Sequence, residues 1–340
     1  MRPHLLAMVA SAALLASCAS APVAPTPAVA AAAGPVTSPP PAPLAAAPAA
    51  PASALPPAPL PPPPSEPARP SAALKEALDR AVKAVAAGEY AKADGQIAAA
   101  TAAAGDNPHF LYLVARTRSM RYVYASDFDG AAAAFLDVIP TLARHPELVD
   151  EFWSHNAMMM IREAQGDPAA ALAENDQATL CAERGTWMTP AERTTLAFQK
   201  DRWHRAYLTR MLAESRTGSV KQALVQYAAA ALDDYRPRGF PDSVAVLEAY
   251  FAALDGRPEV ALAAAKRVDP ALDDDIEDLY LVVVGLRAGG DHAAAEAVRR
   301  QMRRPGEAHS ARAIMLRWLD LDAKAPSPRG FTPWHAQVAH

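Results

Sequence analysis

Few side chains in this sequence are of types and spacings that do chemistry, and the acidic run Asp273-Asp274-Asp275-Ile276-Glu277-Asp278 is the densest group. A calcium loop needs glycine at its sixth place for a sharp turn and a bidentate glutamate at its twelfth. Those places hold Asp278 and Val284. Acids gathered at the positive end of a helix account for the run. Arg299, Arg300, Arg303 and Arg304 mirror it at a helix end, where cations suit the opposite pole; a patch for lipid or an anionic polymer is the alternative. His335 and His340 do not share a helix face, and His155 and His204 have no companion ligands in the sequence. Asp150 and Glu151 are adjacent carboxylates that a hydrolase with a helical cleft would use, although such pairs are common on helix surfaces. No nucleophile elbow, phosphate-binding glycine loop, His-Glu-x-x-His or paired-cysteine pattern occurs. The expectation is a protein without catalytic residues, cofactor or metal.

The two cysteines, Cys18 and Cys181, have different surroundings. Met1-Arg2-Pro3-His4 is followed by an apolar run from Leu5 to Leu15 and then by small residues. That run is about half of the roughly 20 residues that a membrane span needs, so it fits an export signal rather than an anchor. Leu15-Ala16-Ser17-Cys18 resembles the lipobox of bacterial lipoproteins. The resemblance implies a signal peptide over 1–17, a diacylglycerol thioether on Cys18 and an acylated new amino terminus. Two or more acyl chains hold a membrane stably where one is marginal. Ala19 rather than aspartate after the cysteine implies sorting to the outer membrane, facing the periplasm. Cys181, within Ala178-Thr179-Leu180-Cys181-Ala182, then has no disulfide partner in the chain and reads as a small buried filler of a helix.

From Ala19 to Ser65 there is no charged residue, and more than half of the 33 prolines lie between Pro22 and Pro70. Each proline fixes a backbone angle and removes a donor, so 18–70 is expected to be a disordered Ala/Pro-rich tether with polyproline II character. Fully extended, some 50 such residues reach on the order of 150 Å; as a flexible coil they average about 40 Å. The net charge of −4 provides no basic field for nucleic acid, and none is expected as a partner.

Elements able to position side chains begin at Ser71, a plausible N-cap before Leu74, Leu78, Val82 and Val85 at helical spacing. Asn107-Pro108, Asp167-Pro168, Thr189-Pro190 and Arg257-Pro258 each place proline where a first helical turn tolerates it, and Thr189-Pro190-Ala191-Glu192 is a capping box. Leu196, Trp203, Tyr207 and Met211 continue one helix, and the apolar stretch Leu279 to Val284 lies in a helix-length segment. Short loops recur at Gly88, Ser126, Gly166, Gly218, Gly256 and Gly290, separated by 38, 40, 52, 38 and 34 residues. Five residues after each stands an alanine: Ala93, Ala131, Ala171, Ala223, Ala261 and Ala295. A small residue there lets the second helix of a pair press on the first, with Phe135 and Tyr227 filling the space beside it.

This pattern resembles the tetratricopeptide repeat family, over roughly Leu74 to Met302. Tyr90 and Phe128 supply the family's loop aromatic, and Ala81, Ser119 and Ala249 its small first-helix residue, a place where Met159 and Met211 depart from it. The expected architecture is all-α: a helical-hairpin solenoid over 71–323, closed by a helix near Glu307 to Asp322, with a tail over 324–340. The resemblance implies a groove lined by first helices, at Arg116, Trp153, Asn156, Met160, Arg205 and Tyr250, where it would hold a protein or peptide partner. Core packing is the plainer reading of Met160, beside Met158 and Met159. The expected function is a membrane-anchored periplasmic adaptor for proteins of envelope assembly or cell-wall remodelling. A pilotin-like assembly factor and a cell-wall hydrolase are the alternatives.

Overall fold

A computed structural model describes residues 69–125, 127–270 and 276–302, with side chains in the last stretch from 278 onward. Cys18, the tether up to residue 68, Ser126, Asp273 to Asp275, Arg303, Arg304, the segment Glu307 to Asp322 and the tail with His335 and His340 lie outside the described residues.

Every regular element described is helical, and there is no strand among the described residues. The helices are α1 (Ala72–Ala86), α2 (Tyr90–Ala104), α3 (Pro108–Tyr124), α4 (Phe128–Leu136), the single turn α5 (Ile139–Leu142), α6 (Asp150–Ala164) and α7 (Pro168–Arg184). After them come α8 (Pro190–Gln199), a π turn (Lys200–His204), α9 (Arg205–Glu214), α10 (Gly218–Tyr235), α11 (Pro241–Leu254), α12 (Pro258–Ala265), α13 (Ile276–Ala288) and α14 (His292–Met302). They pack as antiparallel neighbours: α1 on α2, α3 on α4, α6 on α7, α9 on α10, α11 on α12 and α13 on α14. The second helix of each pair also meets the first helix of the next. This is the expected stack of helical hairpins.

Ser71 and the Thr189–Glu192 box cap their helices as the sequence predicts, and Asn107, Asp127 and Asp167 cap theirs as well, while Arg257 makes no side-chain cap. Ser71, Asn107, Asp127 and Asp167 accept from the backbone N–H three residues on, and Thr189 and Glu192 cap each other, the Thr189 N–H donating to Glu192 at 2.9 Å. Proline opens α3, α7, α8, α11 and α12, where its missing N–H has no intrahelical acceptor to lose. Leu279 to Val284 lie buried within α13.

Five of the turns between paired helices share one geometry. The N–H of Glu89, Asp127, Asp167, Arg257 or Asp291 reaches back five residues to a carbonyl at 2.9 Å, the bond that closes a helix in a Schellman motif. Gly88, Gly166, Gly256 and Gly290 precede four of these residues with φ between 66° and 80°, a conformation that glycine adopts without strain. Four residues beyond each closing N–H, Ala93, Ala131, Ala171, Ala261 and Ala295 are buried as expected, and Phe135 fills the α3–α4 interface.

The turn between α9 and α10 departs from the expected register. It closes at Ser215 and Arg216, and Gly218 is the first residue of α10 rather than the turn glycine. Counting from Gly218 therefore moves the packing face by two positions, about 200° at 3.6 residues per turn, to the opposite side of the helix. Ala223 is exposed, and Tyr227, expected to fill the hairpin, is 54% exposed; Ala228, Ala231, Leu232 and Tyr235 are buried instead. Lys221 takes the alanine's place and pairs with Glu214 at 2.8 Å.

The long first helix expected after Pro190 is present as α8, the π turn and α9 in continuous succession. A π turn adds a residue and turns the following face, and such insertions concentrate at functional sites. The largest core cluster runs from Met159 on α6 to Met302 on α14, and smaller clusters hold the earlier hairpins together. No described helix is long and apolar enough to cross a membrane.

Candidate functional site

The six residues expected to line a groove do not share a surface. Tyr250 is 2% exposed, its ring 5.3 Å from that of Tyr207, and Met160 is also buried. Both are core residues, which corrects their placement on a binding surface; α11 packs against α12 and α13, so Tyr250 has protein on more than one side. Arg116, Trp153, Asn156 and Arg205 are half-buried. Burial lowers the Arg116 pKa, with Tyr112 and Asp150 acting in the other direction. Trp153 stands edge-on to Phe152 at 4.7 Å, and Asn156 accepts from the Lys200 ammonium.

Arg205 is the best placed of the four. It donates to Asp176 on α7 at 2.7 Å and to Asp201 in the π turn at 2.9 Å. Burial alone would lower its pKa, but Asp176 and Asp201 outweigh that and raise it, and the Tyr227 phenol is near enough to contribute. Arg202 pairs with Asp201 at 2.6 Å and reaches toward Asp234 on α10 at 3.9 Å. The outcome is an ion-pair network beside an exposed tyrosine. Val220, two helical turns before Tyr227, is exposed on the same helix.

A second group of polar residues is buried where α6, α7 and the π turn meet. Glu151 and His155 stand one turn apart on α6, and Cys181 faces them from α7. Their ligand-type atoms all lie within 4.8 Å of one another. The His155 Nδ1 is 2.7 Å from a Glu174 carboxylate oxygen, also on α7. Arg184 donates to Glu151 and approaches the Cys181 Sγ at 3.7 Å. Burial first and the Glu151 charge second push the Cys181 thiol up to about 12, which leaves it protonated and a poor nucleophile near neutral pH. Lys200 is buried nearby, 3.1 Å from His204 Nε2, and its carbonyl accepts from Asn175 at 3.0 Å.

These contacts revise the reading of His155 as a histidine without companions. Cys181 is buried as expected, but among ionisable groups rather than in a purely apolar setting. His204 has Lys200 as its neighbour. Asp150 and Glu151 diverge: Asp150 holds His109 on α3 at 2.8 Å, whereas Glu151 holds Arg184 on α7. They do not form one carboxylate pair.

One signal for the cluster was available in the sequence. Glu151 and His155 have the spacing of one helix face, and the α6–α7 turn falls at Gly166. Glu151 lies fifteen residues before that glycine and Cys181 fifteen after, so an antiparallel hairpin sets them opposite each other. No family model, curated protein or solved structure matches the chain.

Proposed function

We propose that the chain is a non-catalytic docking scaffold of a bacterial envelope, held by acylated Cys18 to the periplasmic face of the outer membrane and carried on the 18–70 tether. The anchor and address rest on Leu15-Ala16-Ser17-Cys18 and Ala19, and the reach rests on the proline content. The observation that carries the docking reading is the surface of α7, α9 and α10. Tyr227 is 54% exposed beside Arg205, whose guanidinium is fixed by Asp176 and Asp201. Tyrosine and arginine are enriched among residues that dominate protein interfaces, because each buries a large area with few freedoms lost. An arginine already held by two carboxylates keeps its orientation on contact, which reduces the ordering cost of binding. The partner class is a protein or peptide segment.

Crosslinking in intact cells, followed by identification of the adducts, tests this function. A specific envelope partner is expected, and Tyr227→Ala with Arg205→Ala is expected to reduce its recovery at least tenfold while the chain stays helical. Recovery unchanged by both substitutions would refute this surface. Removing Pro35 to Pro64 distinguishes a distant target, whose adduct would be lost, from a membrane-embedded partner of the kind a pilotin escorts, whose adduct would persist.

A further inference from the structure

We propose that Glu151, His155 and Cys181 form a binding site for one divalent transition-metal ion of the zinc class, which clamps α6 to α7. The donor set is carboxylate, imidazole and thiolate, a combination that zinc accepts and that hard cations such as calcium or magnesium do not seek. Three donors at about 2.0–2.3 Å from a tetrahedral ion lie about 3.5 Å apart. The ligand atoms of the three side chains are already within 4.8 Å of each other, so a small contraction reaches that spacing. They come from two helices that are already packed together.

A second and independent feature points to a ligand. The Glu174 carboxylate, on the helix opposite His155, engages the histidine's Nδ1 at 2.7 Å. With Nδ1 donating to that carboxylate, Nε2 is the ring nitrogen whose lone pair is left for an ion, an arrangement that commonly supports metal-binding histidines. Nearby, the Arg184 guanidinium contacts both Glu151 and the Cys181 sulfur, so a positive group already occupies the space between two of the donors. Its side chain is 47% exposed and can swing to solvent when the ion takes its place.

The exchange balances. The Cys181 S–H gives its proton to solvent, Glu151 releases Arg184, and neutral His155 supplies a lone pair. The ion's two positive charges are met by one thiolate and one carboxylate. A water molecule completes the fourth position. The three donors are buried, none more than 8% exposed, so the ion is largely shielded between the two helices.

Cobalt(II) titration of the full chain carrying Cys18→Ser, so that Cys181 is the sole thiol, tests the site. One cobalt per chain is expected, with a thiolate-to-cobalt charge-transfer band that zinc removes. Cys181→Ala should abolish the band. Glu174→Gln should weaken binding 10–100-fold, as loss of an outer partner of a metal-bound histidine does, while Arg184→Ala should tighten it. Zinc should raise the melting temperature of the parent chain and leave that of a folded Glu151→Gln variant unchanged, a readout that stands even if Cys181→Ala does not fold. A helical parent chain that shows no charge-transfer band, or zinc stabilisation that Glu151→Gln leaves intact, would overturn the proposal. The site stands independently of the docking reading.

Discussion

On α6, α7 and the π turn the buried side chains include Asp150, Glu151, His155, Glu163, Asn175, Lys200 and His204, whereas α11 to α14, apart from one buried Ser243–Asp278 hydrogen bond, pack through Ala249, Ala261, Ala265, Gly285 and the run Leu279 to Val284. Both regions join antiparallel helices through the same turn geometry. In the second, helices meet so closely that a Cβ on Gly285 would lie 2.8 Å from the Ala249 Cβ, and one on Gly289 only 2.5 Å from that of Leu262. Small residues and aliphatic burial are thus sufficient to hold a hairpin of this stack. Buried ionisable groups carry a desolvation cost that their mutual contacts offset only in good geometry. Their concentration around α6 and α7 adds little to packing, and it marks that hairpin as the place where a further role resides.

Substitutions at the two regions should break this contrast in different ways. Phe152→Ala removes a buried ring that packs with Cys181, Ala178 and Ala182, and it is expected to cost about 4 kcal/mol in urea denaturation, the range for buried Phe-to-Ala changes. Gly289→Val overpacks the α12–α13 contact and should cost about 2–3 kcal/mol, with no effect on cobalt binding by the α6–α7 hairpin. Tyr207→Phe deletes a hydroxyl that donates to buried Glu163 on α6; the expected loss is about 1–2 kcal/mol, which is the cost of a missing buried hydrogen bond. Equal costs for Tyr207→Phe and Phe152→Ala would show that the polar contacts stabilise the fold as much as apolar ones do.

The smallest effect concerns pH. At Glu214, burial raises the pKa, but Lys221 and Arg210 prevail and hold it below 4.5. A carboxyl depressed on folding contributes stability that is fully present above its unfolded value and is lost as pH falls through the folded value. Urea midpoints should therefore decline as pH is lowered below 4.5, and Glu214→Gln should flatten that decline. A steeper decline in the variant would contradict the sign.

Helix starts were legible because capping is local: Ser71, Asn107, Asp167 and Thr189 each act within three residues of themselves. Turn positions were legible wherever a glycine marks the end of a helix. The α9–α10 turn was not, since Arg216 stands where four of the other turns place glycine, and Gly218 two residues later drew the count to the wrong face. That error also hid the exposure of Tyr227. The burial of Met160 and Tyr250 depends on what stacks outside each helix, as with Tyr250 under α13, and helical spacing alone does not reveal it. The Glu151, His155 and Cys181 cluster needed the register across a hairpin, which no single helical period contains.

Photo-crosslinking from intact cells, with the reactive residue installed at position 227 on α10 and, as a control, at position 296 on α14, tests the docking function most directly. A discrete envelope-protein adduct is expected from 227 and none from 296. No adduct at 227, or the same adducts from both positions, would contradict it.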